Sequence, residues 1–313
     1  MAASETQAFL GWDVGGTKSA AVIGLSDGRI VDRVEWPSLA AGGPGPMLAA
    51  FLSHARPLLE RSAGVAAVGV SIGGPLDSIQ GVVKSPPHLP GWDGIPLKRI
   101  LAEELKLPVF VEHDAAACLL AEWLWGAARG ATHAVYLTCG TGCGAGVLID
   151  GRILRGPRGQ SPEAGHVRLA DDGPEVFGKA GCVESFCGGE GMSKLASFRF
   201  PDHFPGPVEP RRLNELAAGG DEQARAVLSE SADRTGQICA LLTDLFSPQV
   251  IVLGSMSLYL PAWWLEQVRL GFRKEVLPAN AADTRIVPNG LGKSLQDLSS
   301  VAPCVTGISG QRP

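Results

Sequence analysis

Phe9-Leu-Gly-Trp-Asp-Val-Gly-Gly-Thr-Lys-Ser-Ala-Ala-Val-Ile23 and Ala134-Val-Tyr-Leu-Thr-Cys-Gly-Thr-Gly-Cys-Gly-Ala-Gly-Val-Leu-Ile149 read as one device used twice. Each is an apolar strand, a glycine turn and a second apolar strand. The tetrapeptides Asp27-Gly-Arg-Ile30 and Asp150-Gly-Arg-Ile153 follow, ten and nine residues after Thr17 and Thr141. A hairpin turn explains any one of these features; their shared order points to an internal duplication. Two glycine hairpins facing each other form a clamp whose bare backbone N–H groups can hold phosphate oxygens. The reading that follows is a nucleotide-dependent phosphotransferase.

Working outward, the first half alternates element types. Strands are expected near 8–13, 18–25 and 29–35, then a helix near 47–62, a strand at 65–72, a helix near 96–106 and a short strand at 108–112. A helix over Ala115–Ala127 follows. The second half repeats the hairpin and then enters a loop-rich stretch, about 155–210, expected to cover a site. A long helix near 221–246 comes next, with Val227, Leu228, Ile238, Leu241, Leu242, Leu245 and Phe246 as its core face. A strand at 250–253, a helix near 261–277, a last strand at 284–287 and a helix near 291–313 complete the chain. Three strands followed by helix–strand units predict a mixed sheet in each half, with a ligand in the cleft between two lobes.

Composition bounds the class. With 313 residues, 45% apolar and 19% charged, the chain has ample material for a core and is not disordered in character. A net charge of −5 and the lack of a basic run argue against a nucleic-acid surface. Seven cysteines scattered through predicted strands and helices suggest free thiols in a reducing compartment. No stretch approaches the roughly 20 apolar residues of a membrane span. We expect a cytoplasmic protein with no signal peptide and no DNA-binding domain ahead of Phe9.

Several motifs carry both a functional and a plain structural reading. Asp13 at a strand end, beside the Gly15-Gly16-Thr17 turn, suits Mg²⁺ or its waters; the bland reading is a tight hairpin with an exposed acid. Gly140-Thr-Gly-Cys-Gly-Ala-Gly146 mimics a dinucleotide fingerprint, but a strand follows it where a helix is required. Gly292-Lys293-Ser294 lacks the leading glycine of a P-loop, which is Val287 here. Gly69-Val-Ser71-Ile-Gly73 fits a nucleophile elbow, yet Gly74-Pro-Leu-Asp77 cannot begin the helix that an elbow needs. It reads instead as a pocket-lining loop. Asp114, within Glu112-His113-Asp114, is either a helix N-cap or a general base kept ionised by the helix N-terminus. Glu163-Ala-Gly-His166 and Gly181-Cys-Val-Glu184 offer groups for hydroxyl or metal recognition; alone, each is more often solvated.

Taken together these segments resemble the ROK family of sugar kinases and repressors. The resemblance rests on Asp13–Lys18, Leu89-Pro-Gly-Trp92, Val111-Glu-His-Asp114, Leu120-Ala-Glu122, Gly126-Ala-Ala-Arg-Gly130, Gly140-Thr-Gly142, Gly156 to His166 and Gly181-Cys-Val-Glu184. It implies a duplicated, actin-like (ribonuclease H-like) α/β fold of two lobes with an interlobe cleft. The small lobe is expected over 1–118 and the large lobe over 119–295, with the helix near 296–313 packing back onto the small lobe. ATP would be held by Gly15, Gly16, Thr17, Lys18, Gly140, Thr141 and Gly142, and its adenosine side by Gly254 and Ser255. Mg²⁺ would be held through Asp13. The resemblance implies Asp114 as catalytic base, and Gly74, His88, His113, Asp114, Glu163, His166 and Glu184 as sugar contacts.

Three departures from the family pattern stand out. His88 and His113 replace asparagines, exchanging an amide for imidazole at polar sugar contacts. The zinc run of one His and three Cys keeps only His166 and Cys182; Glu175 and Phe177 fill the other places, so no structural zinc is expected, with Cys187 a possible substitute ligand. Ser255 replaces a glycine, a change expected to narrow the purine slot that the resemblance implies. The expected activity is ATP-dependent phosphorylation of the O6 hydroxyl of glucose, N-acetylglucosamine or N-acetylmannosamine, by a homodimer without nucleic-acid or membrane partners. The alternative is a catalytically weak sugar or nucleotide sensor of the same fold.

Overall fold

A computed structural model describes residues 6–86 and 89–308. In the first part of the chain, strands β1 (Ala8–Val14), β2 (Lys18–Leu25) and β3 (Ile30–Pro37) lead to helix α1 (Pro44–Glu60) and strand β4 (Val65–Ile72). A small hairpin, β5 (Leu76–Asp77) and β6 (Val82–Val83), precedes α2 (Leu97–Leu105), β7 (Val109–His113) and α3 (Asp114–Trp125). Next come β8 (Ala134–Leu137), β9 (Ala145–Ile149), β10 (Arg152–Ile153) and a second small hairpin, β11 (Glu175–Val176) and β12 (Lys179–Ala180). Helices α4 (Val183–Cys187), α5 (Gly189–Arg199), α6 (Pro210–Ala218) and α7 (Glu222–Phe246) follow. The chain continues through β13 (Val250–Leu253), α8 (Met256–Tyr259), α9 (Ala262–Glu275), α10 (Pro278–Ala281), β14 (Arg285–Pro288) and α11 (Leu295–Ile308).

The duplication shows in the sheets. One has the order β3-β2-β1-β4-β7, the other β10-β9-β8-β13-β14. In each, the glycine hairpin is antiparallel (Trp12 opposite Ala21, Val135 opposite Val147), and the next two strands join in parallel. The repeated Asp-Gly turn explains itself through backbone geometry. Gly28 has φ +89° and Gly151 φ +71°, a left-handed conformation that side chains resist.

The described residues form two compact units. One takes those within 1–130, 152–162 and 291–313; the other takes 131–151 and 163–290. In the first unit, period-two alternation splits β1 between two cores. Leu10, Trp12 and Val14 face a cluster with α1, where Trp12 stacks on Phe51 at 4.2 Å between ring centroids. Phe9 packs with Val22, Ala67, Val301 and Cys304 on the face that α11 covers. Glycines on three adjacent strands let that helix approach. A Cβ at Gly11 would lie 2.1 Å from Ser300 Oγ, at Gly24 2.6 Å from Val301 Cγ2, and at Gly69 2.0 Å from the Ser300 carbonyl oxygen. Gly69 faces backbone, which cannot swing aside as a side chain can. Gly69→Ala should therefore cost about 2–4 kcal/mol in denaturant unfolding. A loss under about 0.5 kcal/mol would mean that α11 shifts freely.

The second unit is built around α7, capped at its start by Asp221, whose Oδ1 accepts from the N–H groups of Gln223 and Ala224. A Cβ at Gly236 would meet Phe272 N and Val268 O at 2.6 Å, so α7 and α9 pack almost backbone to backbone. The 155–210 stretch is loop-rich, as expected, and also carries β11, β12, α4 and α5, each too short to show a period. One expectation is corrected here. Of the expected α7 core face, Val227, Leu228, Ile238 and Leu242 are buried. Leu241 and Leu245, however, are 39% and 63% exposed, because the helix turns its buried stripe onto Ala232, Thr235 and Cys239. The expected C-terminal helix is observed to Ile308; residues 309–313 lie outside the described residues.

Candidate active site

In the first unit, β7 runs into α3 with no loop between them. His113 is the N-cap residue and Asp114 opens the helix, so Asp114 is not the N-cap that its position also suggested. Its Oδ1 accepts the N–H of Ala115 at 2.6 Å, and the side chain stays 45% exposed. Oδ2 lies on the side of Gly73, where an added Cβ would come within 3.9 Å. The His113 ring is buried and packs on Gly74, where a Cβ would meet Cδ2 at 2.6 Å and Nε2 at 2.9 Å. The base candidate and two expected sugar contacts thus meet at one strand–helix junction. His88 lies outside the described residues.

Asp13 ends β1 on the face that α11 covers. Burial, with the Asp297 and Asp114 carboxylates nearby, pushes its carboxyl up to about 7. Arg33 offsets part of this. Asp297, in the first turn of α11, is itself held above the usual range by burial. A crowded set of acids with partial compensation is an environment that a cation would relieve, though among the described residues no three acids form a ready ligand group. Sequence reasoning missed Asp297, Arg33 and Glu35. Arg33 Nε reaches both Asp297 oxygens (3.0 and 2.9 Å) and its Nη2 reaches Glu35 Oε2 at 2.7 Å. Lys18, expected to help hold phosphate, pairs with Glu35 Oε1 at 2.9 Å, its side chain still 69% exposed. Arg33 and Lys18 together hold the Glu35 carboxyl down at about 2. Alternation along β2 and β3 would have put these side chains on one face, but nothing local in the sequence announces the pairings.

The Gly15–Thr17 turn keeps its backbone N–H groups without protein acceptors among the described residues. A Cβ at Gly15 would sit 2.4 Å from the Lys18 carbonyl oxygen, so the turn closes only around glycine. The other glycine turn, in the second unit, is pinned on its carbonyl side. Gly189 N–H donates to Gly140 O and Glu190 N–H to Thr141 O, at 2.8 and 3.0 Å, while the Gly140 N–H donates back to Gly142 O. The N–H groups of Thr141 and Gly142 have no protein acceptor among the described residues. Both turns are therefore donor-rich cradles of the kind that hold phosphate oxygens.

Around the second cradle, Glu184 is buried at the start of α4 and accepts the Cys143 N–H at 3.0 Å. Glu163 and His166 flank a single helical turn, both exposed, with Gly165 packed so closely that a Cβ would lie 2.0 Å from the Cys143 carbonyl oxygen. Gly254 N–H bonds Leu137 O at 2.7 Å, and Ser255 Oγ reaches Cys139 O at 3.4 Å, next to the turn. The expected residues of this unit thus gather around one hairpin. Cys139, Cys187 and Cys239 are thiols held well above their usual range, Cys139 first by its bond with Cys143 and then by burial, the other two chiefly by burial. Cys182 packs against Ser185 Oγ at 3.3 Å, and Phe177 is 42% exposed. Among the described residues no group of three or more His, Cys, Asp or Glu is arranged to hold a metal ion. The family's other signature, Leu120-Ala-Glu122, is structural: buried Glu122 accepts the N–H groups of Ala127 and Leu291. No helix among the described residues is long and apolar enough to cross a membrane.

Residues 9–294 match the model of the ROK family. The chain is 30% identical to a glucokinase of Thermotoga maritima over 79% of its length and 81% of that protein's. It is 32% identical to an N-acetylmannosamine kinase of Escherichia coli over 77% of its length and 80% of that protein's. A xylose repressor of Caldicellulosiruptor bescii matches at 28% identity over 78% of this chain and 63% of its own. Among solved structures, the ROK hexokinase from Thermus thermophilus superposes with a TM-score of 0.84 at 33% identity, over 98% of this chain and all of its own.

Proposed function

The chain belongs to the ROK family, and from that premise we propose that it is an ATP-dependent kinase acting on the O6 hydroxyl of a hexose or N-acetylhexosamine. The fold is the duplicated, actin-like two-lobe α/β architecture of the family's sugar kinases. The observation that carries the proposal is Asp114: a carboxylate at a strand–helix junction with Oδ1 held by the Ala115 N–H and the side chain still 45% exposed. In this reading Oδ2 takes the proton of the sugar hydroxyl as that oxygen attacks the γ-phosphorus and ADP leaves. Phosphoryl transfer depends mainly on alignment and charge neutralisation, with the base adding roughly 10²–10⁴-fold. The free N–H groups of Gly15–Thr17 and of Thr141 and Gly142 would supply the alignment, and Gly254 and Ser255 the purine side. Asp13 would hold Mg²⁺, directly or through water, which when bound neutralises phosphate charge. Gly74, Glu163, His166 and Glu184 would face the sugar, with the buried His113 ring packed behind Gly74. Lys18 is left with a minor role, since Glu35 holds it.

All seven cysteines are free and buried, which agrees with a reducing, cytosolic setting, and we propose a homodimer on the family pattern. A second reading is favoured by His113, which departs from the family's asparagine, and by the repressor relative: a sugar or nucleotide sensor with weak catalysis. A coupled ATP-consumption assay over glucose, N-acetylglucosamine, N-acetylmannosamine and related hexoses separates the two. We expect one of these sugars to give magnesium-dependent turnover well above the rest. Silence across the panel, with sugar binding intact by calorimetry, would select the sensor.

A further inference from the structure

We infer that His113 is a positioning residue for Asp114: its neutral imidazole carries the proton on Nδ1 and donates it to Asp114 Oδ1, leaving Oδ2 as the basic atom. This deepens, and rests on, the reading of Asp114 as base. His113 Nδ1 lies 3.3 Å from Asp114 Oδ1. That nitrogen is fully buried and makes no hydrogen bond among the described residues; Oδ1 is near it but off the direction that a hydrogen bond needs, so a small turn of the carboxylate or the ring would close the bond. The opposite edge of the ring, with Cδ2 and Nε2, lies against Gly74.

Two physical constraints select the tautomer. With the proton on Nε2, the Nδ1 lone pair would face a carboxylate oxygen at this distance, a repulsive pairing in a buried place. With the proton on Nδ1, the contact becomes a hydrogen bond to a charged acceptor, among the stronger kinds. Competition for that proton is small. The neighbouring acid Glu112 points to the other face of β7 by strand alternation and is already engaged by the Arg155 guanidinium and the His113 backbone N–H.

With that bond closed, Oδ1 holds two donors, the Ala115 N–H and the imidazole, so its lone pairs are occupied. Proton acceptance falls to Oδ2, on the Gly73 side. Asparagine, usual in the family at this place, could offer the same single N–H from a similar position. Histidine would keep the donor while stiffening it against Gly74.

The test combines spectroscopy with kinetics. ¹⁵N NMR of imidazole-labelled protein at pH 8.5 should show His113 as the Nδ1–H tautomer in the wild type, with that preference lost in Asp114→Ala. His113→Asn should keep kcat within about threefold, whereas His113→Leu should lower it about 10–100-fold with little change in sugar KM. An Nε2–H tautomer in the wild type overturns the inference, as does a rise in sugar KM with kcat held in either variant. If His113→Leu does not fold, the wild-type spectrum and His113→Asn still decide. Retained turnover in Asp114→Asn would sink the base assignment instead, and the tautomer result would still stand or fall alone.

Discussion

Asp114→Asn should lower kcat by roughly 10²–10⁴-fold while leaving sugar affinity within a few-fold of the wild type. Asparagine has nearly the same shape, and its carbonyl oxygen can still accept the Ala115 N–H that now bonds Oδ1. What it loses is a basic oxygen at the Oδ2 position, because an amide nitrogen there offers no lone pair to a hydroxyl proton. The stability cost should be small. A carboxylate in the first turn of α3 gains from the helix dipole only about 0.3–1 kcal/mol, and this side chain is nearly half exposed. The fall in rate therefore cannot be ascribed to unfolding, provided thermal melts coincide. Steady-state kinetics with isothermal calorimetry of the sugar make the comparison. Unchanged turnover would remove Asp114 from the base role, and lost sugar binding would make it a ligand contact instead.

How far the sequence led depends on the range of the interaction concerned. The glycine turns, the Asp-Gly turns and the strands around them were legible because each is local. A turn that needs positive φ, such as those at Gly28 and Gly151, leaves its mark in one residue. Asp114 was legible for the same reason, standing where an apolar strand meets an apolar helix. Helices α4 and α5 were not, since a helix of one to three turns shows little periodicity. Leu241 and Leu245 misled because apolar residues on α7 outnumber the positions its packing buries. The Lys18–Glu35–Arg33–Asp297 chain was out of reach: it joins a hairpin to the last helix, and only the folded sheet sets that distance. The buried Glu112–Arg155 pair escaped for the same reason, being formed 43 residues apart.

Asp13→Asn should make the metal-free protein more stable at pH 8 and, at the same time, cost most of its ATP turnover. The folded chain raises the Asp13 carboxyl from the ordinary 3.8 to about 7, chiefly by burial and by Asp297 and Asp114. A carboxyl that binds its proton more tightly when folded stabilises the fold fully below about pH 4. That contribution is lost as pH rises toward and through 7. Three units at roughly 1.4 kcal/mol each set an upper bound near 4 kcal/mol; for a half-buried group we expect about 1–3. Asp297, shifted in the same direction by its burial, adds to the same slope. Asparagine removes the charge and with it the pH dependence, so the variant's melting temperature should exceed the wild type's at pH 8 and approach it at pH 5. Millimolar Mg²⁺ with nucleotide should then raise the wild-type midpoint more than the variant's, because only the wild type has the Asp13 carboxylate for the cation to relieve. Such a local misfit, tolerated in the resting protein, is what a phosphate-handling metal site needs. Equal stability of the two proteins at pH 8, or full turnover by the variant, would show that Asp13 is an ordinary buried acid.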